Sequence, residues 1–144
     1  MVYSSTTMRP NHAGAVSLAE KFAMFDDAFA PRRVAHVNDF VVKLIKVRGA
    51  FVWHRHPDTD ELFVVHRGTM TVRYRDRDVV LHAGELHVVA RGVELVEVAD
   101  LETPGPWLDT LADDTCEVLA FEPAATVNTG DAGGDRTAHD EPFV

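Results

Sequence analysis

The sequence is short of several residues on which particular functions depend. It holds one cysteine, Cys116, in 144 residues, which excludes an internal disulfide and a two-cysteine metal or redox clip. Cys116 stands in a hydrophobic stretch, the setting of a small core residue. Basic residues are also few. Fourteen Lys and Arg face 23 Asp and Glu, a formal charge of −9. That balance offers no basic face to a nucleic-acid backbone or an anionic membrane, so neither is expected as a partner. No apolar run approaches the roughly 20 residues of a membrane span. The opening MVYSSTTMRPNHAG lacks the charged-then-apolar order of a secretory signal, and the expectation is a cytoplasmic protein. G-x-S-x-G, a phosphate-binding glycine loop and C-x2-C are all missing as well.

What is present suits one domain with a core of its own, 46% of the residues being hydrophobic. Residues 1–16 are polar and aperiodic and read as a flexible N-terminus, residues 17–130 as the domain, and residues 131–144 as a C-terminal tail that runs along the surface and frays. Ser17 and Glu20 have the spacing of a capping box, and Leu18, Phe22, Phe25 and Phe29 recur at helical intervals, which predicts a short helix over about 18–27. From Val34 to about residue 122, short Val-rich runs alternate with turn residues every 8–12 positions, the texture of an all-β sandwich or barrel of jelly-roll type. One connection, residues 99–115, is long for a hairpin and carries five acidic residues, two prolines and Trp107. Such a segment is a solvated loop or a lid.

The chemistry gathers in Gly49–Gly68, GAFVWHRHPDTDELFVVHRG, where His54, His56 and Glu61 stand as H-x-H-x4-E. Side chains two apart on a strand share a face, so the two histidines point the same way. The Pro57–Asp60 turn brings Glu61 back on the next strand. Two imidazoles and a carboxylate are a donor set for a first-row transition metal. An H-x-H pair alone is weak, since about half a pair arises by chance in this composition. The parity that turns His54 and His56 inward also turns Val52 in and Phe51, Trp53 and Arg55 out. It turns Phe63 and Val65 in with Glu61, and Met70, Val72 and Tyr74 in on the following run, with Arg73 and Arg75 outside. The result is a mostly apolar pocket with a polar floor and Tyr74 at one edge. His66 and His82 read as surface residues, and His12, His36 and His139 have no context that singles them out.

With its flanking Gly49 and Gly68, the stretch resembles the first sequence motif of the cupin superfamily. Gly84–Leu95, GELHVVARGVEL, is similar to the second, with Gly84, Gly92 and an acidic residue at Glu85. Two positions depart: the usual proline is Ala90, and the usual fourth ligand, a histidine, is Leu95. The order LAEKFAMFDD, VWHRHPDTDELFVV, EPAATVNTG resembles small single-domain bacterial cupins of the mannose-6-phosphate-isomerase-like kind. The resemblance implies an all-β cupin jelly-roll β-barrel with a short N-terminal helix, often a homodimer. It also implies a divalent transition metal, Fe, Zn, Ni or Mn. Because Leu95 has no lone pair, three arrangements stay open. His54, His56 and Glu61 bind the ion alone; His87 supplies a substitute ligand; or the metal is lost and an apolar pocket remains. The function implied is a metal-dependent enzyme acting on a small, largely apolar organic substrate, as an oxygenase, isomerase or cyclase, with Glu61 and Tyr74 as catalytic groups. The alternative is a non-catalytic barrel that binds a small ligand or metal.

Overall fold

The computed structural model describes residues 13–99 and 115–144. The expected lid and most of the expected flexible N-terminus lie outside the described residues. Among the described residues, nine strands follow one short helix, α1 (Leu18–Phe22): β1 (Arg32–Val37), β2 (Phe40–Val47), β3 (Gly49–Ala50), β4 (Glu61–Arg67), β5 (Thr69–Tyr74), β6 (Asp78–His82), β7 (Leu86–Val89), β8 (Leu95–Ala99) and β9 (Cys116–Pro123). They form a five-stranded sheet in the order β1-β2-β9-β4-β7 and a four-stranded sheet in the order β3-β8-β5-β6. This is the jelly-roll arrangement the run-and-turn texture predicts.

The period-two pattern decides what fills the space between the sheets. On β5, Met70, Val72 and Tyr74 are buried, as expected. Phe63, Val65, Val89, Leu95, Val118 and Ala120 join them in the inner core. Cys116 is part of that core, and burial pushes its thiol up to about 12, as for an unreactive packing residue. On β2 the odd positions Val41, Lys43 and Val47 are also buried, while Leu44 belongs to a second cluster with Phe22, Phe25 and Val34.

That second cluster explains why α1 is shorter than the predicted 18–27. Ser17 caps it as foreseen, its Oγ accepting from the Glu20 N–H at 3.2 Å. After Phe22 the chain leaves the helix. Phe25 still packs with Leu44, and Ala28 bridges Lys46 as an extra stretch of strand. Tertiary packing and ladder pairing override the helical spacing of the four apolar residues.

The expected strand over 51–56 is reduced to an isolated bridge between His54 and Leu95. Ala50 pairs with Val98, yet His54 pairs with Leu95, so four steps along one chain oppose three along the other. The slip of one residue is a β-bulge. It changes the parity, so Phe51, expected to point away, lines the same internal cavity as Glu61 and Glu97. Trp53 is turned to the Arg75 guanidinium, 3.6 Å from its ring centroid.

The tail is tied down rather than frayed. Arg33 N–H donates to the Pro142 carbonyl at 2.9 Å and Val144 N–H to the Arg33 carbonyl at 3.1 Å. Upstream, Arg55 N–H donates to Asp131 Oδ1 at 2.9 Å and Asp131 N–H to the Arg55 carbonyl at 3.0 Å, clamping the H-x-H segment. Gly130 makes that clamp possible. Its φ is +53°, and a Cβ there would lie 2.1 Å from the Arg55 carbonyl oxygen and 3.2 Å from the His54 ring. Gly130→Ala should therefore lower stability by at least about 2 kcal/mol, read as a shift in the denaturant midpoint. An unchanged midpoint would mean that the clamp contributes nothing.

Candidate metal centre

The first ligand position is held from both sides of its own backbone. His54 N–H donates to the Leu95 carbonyl at 2.9 Å, and Leu95 N–H returns a bond to the His54 carbonyl at 2.8 Å. Gly92 N–H, from a turn with φ +76°, donates to the His56 carbonyl at 2.9 Å. His54 Nδ1 lies 2.8 Å from the Val52 carbonyl oxygen. A carbonyl can only accept, so Nδ1 carries the proton and Nε2 keeps its lone pair for another partner.

Glu61, the first residue of β4 after the Pro57–Asp60 turn, arrives opposite Val89 of β7. The structure thus brings together the three residues singled out by the sequence. One ligand atom each from His54, His56 and Glu61 lies within 4.8 Å of the others, and all three residues are buried. His56 Nε2 and Glu61 Oε1 are 3.4 Å apart, and neither has a hydrogen-bond partner among the described residues. Two orphaned, buried donor atoms facing each other are costly unless something binds between them. A divalent cation is the group this donor set fits.

Tyr74 and His87 stand elsewhere. His87 is opposite Phe63, two positions along β7 from the level of Glu61, and its Nε2 is 2.7 Å from the Tyr74 hydroxyl. Neither lines the cavity beside Glu61, and His87 is outside the metal-capable cluster. The structure therefore pairs them with each other, not with the three ligands. His82 is exposed as expected, but His66 is only partly so, its ring stacked on Phe22 at 5.3 Å between centroids.

Three further ionisable side chains enter the site that motif reading passed over. Leu62 pairs with Phe121, which sets Glu122 of β9 beside Glu61. Lys43 Nζ is 3.0 Å from Glu122 Oε1 and 2.8 Å from Glu141 Oε1 of the tail. Glu97 of β8 puts Oε1 3.5 Å from His54 Nε2. Each stands inside a largely apolar run: FVVKLIKV, which also holds Lys46, LVEVA and VLAFEP. A charge at inward parity in such a strand was the available signal. Glu61, Glu97 and Glu122, with Phe51, Phe63 and Val118, line an internal cavity of about 30 Å³. That is room for an ion and a water, not for an organic molecule.

These strands match a known domain. Residues 41–108 match the family model described as a cupin domain. A cupin-2 domain containing protein from Shewanella frigidimarina NCIMB 400 is 37% identical and superposes with a TM-score of 0.65, over 75% of this chain and 93% of that one. The chain belongs to the cupin family. Protein NMB1881 from Neisseria meningitidis, 20% identical, shares the fold alone, with a TM-score of 0.62 over 77% of this cupin and all of that chain. The uncharacterized protein YdbB of Bacillus subtilis (strain 168) is 37% identical over 60 residues, 41% of this chain, and the match spans about half of YdbB, 53%. These likenesses show the family and do not distinguish the mannose-6-phosphate-isomerase-like subgroup. Among the described residues no helix is long and apolar enough to cross a membrane.

Burial sets the ionisation of the cupin's site. It raises Glu61 to about 7 and Glu97 to about 8, and lifts Glu122 well above the carboxylate range, with neighbouring Glu61 adding to the effect. The same burial lowers His54 and His56 below 6.5. Without a bound cation the centre therefore holds protons on its carboxyls below about pH 7, and its imidazoles are neutral above 6.5.

The sign of the pH dependence follows. Raised carboxyls bind more protons folded than unfolded, so they lose stability as pH rises from about 4.5 through 7 to 8. Lowered histidines act oppositely, but only below 6.5. Metal-free protein should therefore lose melting temperature between about pH 6.5 and 8, as measured by calorimetry, and a flat or rising profile would contradict the protonated-carboxyl state. Lys43→Met should cost about 1–3 kcal/mol in chemical denaturation, because it leaves the buried carboxyl oxygens of Glu122 and Glu141 without their shared donor. A change under 1 kcal/mol would mean that the pair is not formed.

Proposed function

We propose that this cupin is a metal-dependent enzyme acting on a small, largely apolar organic substrate, with His54, His56 and Glu61 holding a divalent transition ion. The observation that carries the reading is the convergence of three buried donor atoms, two of them unpartnered, within 4.8 Å. When bound, such an ion supplies Lewis-acid polarisation or an oxygen-activating centre. The chain's own residues supply the rest. Val52 fixes the His54 tautomer through its carbonyl. Glu122 beside Glu61, with Lys43 behind it, can take up or return a proton at the edge of the centre. Phe51 and Phe63 line the cavity and exclude water from it.

Phe29 governs access in this reading. It lines both the internal cavity and an open basin of about 610 Å³ on its other side, and its ring stacks on Phe51 at 4.7 Å between centroids. A substrate held in the basin reaches the centre when these two rings part. Phe29 also has φ +56°, a conformation that costs a non-glycine residue energy and is held by its surroundings.

A second reading, a non-catalytic cupin that binds a metal or small ligand as sensor or carrier, is favoured by one observation: the cavity of about 30 Å³ has no space for an organic substrate as it stands. The enzyme reading requires the metal, and the binder reading requires it only where the metal is the ligand. Titration of stripped protein with Zn²⁺, Fe²⁺, Ni²⁺ and Mn²⁺ should give about one tight site per chain, and His54→Ala should weaken it at least 100-fold. No binding of any of the four would sink the metal centre. If the metal binds, Phe29→Ala separates the readings: it should raise the rate with a bulky substrate in an enzyme, and no turnover under any condition would leave the binder.

A further inference from the structure

The cluster of His54, His56 and Glu61 leaves an ion short of protein donors on the β8 side. There the fourth-ligand position of the family resemblance is Leu95, which is fully buried and has no donor atom. Side chains two apart on a strand share a face. The next inward position on β8 after Leu95 is Glu97, also buried, opposite Val72 as Leu95 is opposite Tyr74. The bulge that slides the H-x-H segment by one residue past β8 keeps His54 over Leu95 while Phe51 N–H donates to the Glu97 carbonyl at 2.9 Å. Both β8 side chains thereby face the site.

Glu97 lies outside the group whose ligand atoms are all within 4.8 Å of one another, but it is adjacent to one of its members. His54 Nδ1 is committed to the Val52 carbonyl, so only Nε2 can bind an ion, and Glu97 Oε1 is 3.5 Å from that nitrogen. With metal–ligand bonds of about 2.1 Å, two donors 3.5 Å apart subtend about 110° at a shared ion, within the tetrahedral range. His56 Nε2 and Glu61 Oε1, 3.4 Å apart and without partners, form the matching pair. We propose that Glu97 is the fourth protein ligand, replacing at two residues' remove the donor that Leu95 lacks. The centre is then a two-histidine, two-carboxylate site. Its two carboxylates neutralise a divalent ion at a buried position, and its donor set is harder, with more oxygen, than one built on three histidines. Such a set shifts preference toward Mn²⁺ and Fe²⁺ relative to a three-histidine site.

The proposal rests on the metal-binding reading above, and the experiment keeps the two apart. Stripped wild type, Glu97→Gln, His54→Ala and the double variant Leu95→His/Glu97→Gln are titrated with Co²⁺, following both affinity and the visible d–d spectrum, with folding checked by circular dichroism. Glutamine matches glutamate in size, and the spectrum is read on folded, saturated protein. The expected result is at least 30-fold weaker binding for Glu97→Gln, a changed spectrum at saturation, and recovery of most of the affinity in the double variant. Wild-type affinity and spectrum in Glu97→Gln, with His54→Ala defective, would overturn Glu97 as ligand and leave the three-residue centre intact. Weaker binding with an unchanged spectrum would also overturn it, making Glu97 a positioning residue for His54. A Glu97→Gln chain that fails to fold moves the test to Glu97→Asp, which keeps a carboxylate: wild-type affinity with a wild-type spectrum there would overturn ligation at this distance, and a shifted spectrum supports it. No Co²⁺ uptake by wild type would remove the metal reading and the proposal together.

Discussion

Glu61 and Glu122 stand side by side on neighbouring strands, in an interior otherwise built from valine, leucine and phenylalanine. Like charges in that position repel, and burial removes the water that would screen them. The structure answers with Lys43, itself fully buried, and with a tail that swings Glu141 in beside it. One ammonium, with the Arg33 guanidinium 3.4 Å from Glu141, cannot balance Glu61, Glu97, Glu122 and Glu141 together. The remainder is met by protons in the empty centre or by a divalent cation in a filled one. Ionisation and folding stability are therefore coupled in this barrel, and on the proposed reading metal affinity is coupled to both.

The scaffold that holds these groups is a set of clamps on one irregular segment. Residues 51–60 form no continuous ladder, yet His54 is bonded on both backbone groups to Leu95, His56 through Gly92, and Arg55 through Asp131. Irregular backbone at a site is precise only when its polar groups are tied elsewhere, and here they are. The bulge between Ala50 and His54 is part of the same design. It turns Phe51 into the cavity and sets its ring edge-on to that of His54, 5.6 Å between centroids, so an aromatic wall and a candidate ligand come from one short stretch.

Membership of the cupin family carries the fold further than it carries the chemistry. The structure gathers His54, His56 and Glu61 of the H-x-H-x4-E stretch into one cluster, as the family resemblance implies. The β8 side does not: a leucine stands at the ligand position and a buried glutamate two residues beyond it. A donor set altered in this way changes which ion is preferred and how much charge the centre holds. Both bear on the reaction more directly than the barrel does.

The sequence by itself determined the strands, their inward faces on β4 and β5, and the three donors of Gly49–Gly68. These depend on period-two alternation and short turn signals, which are local. It also determined that Leu95 breaks the pattern. Only the tertiary structure decided that Phe51 turns inward, because a one-residue register slip is a property of two paired strands and not of either alone. It decided that His87 joins Tyr74 and not the metal centre, because strand pairing sets it opposite Phe63. It decided, too, that Lys43, Glu97, Glu122 and Glu141 meet around His54, His56 and Glu61, because contacts between five elements far apart in the chain leave no trace in the spacing of any one of them.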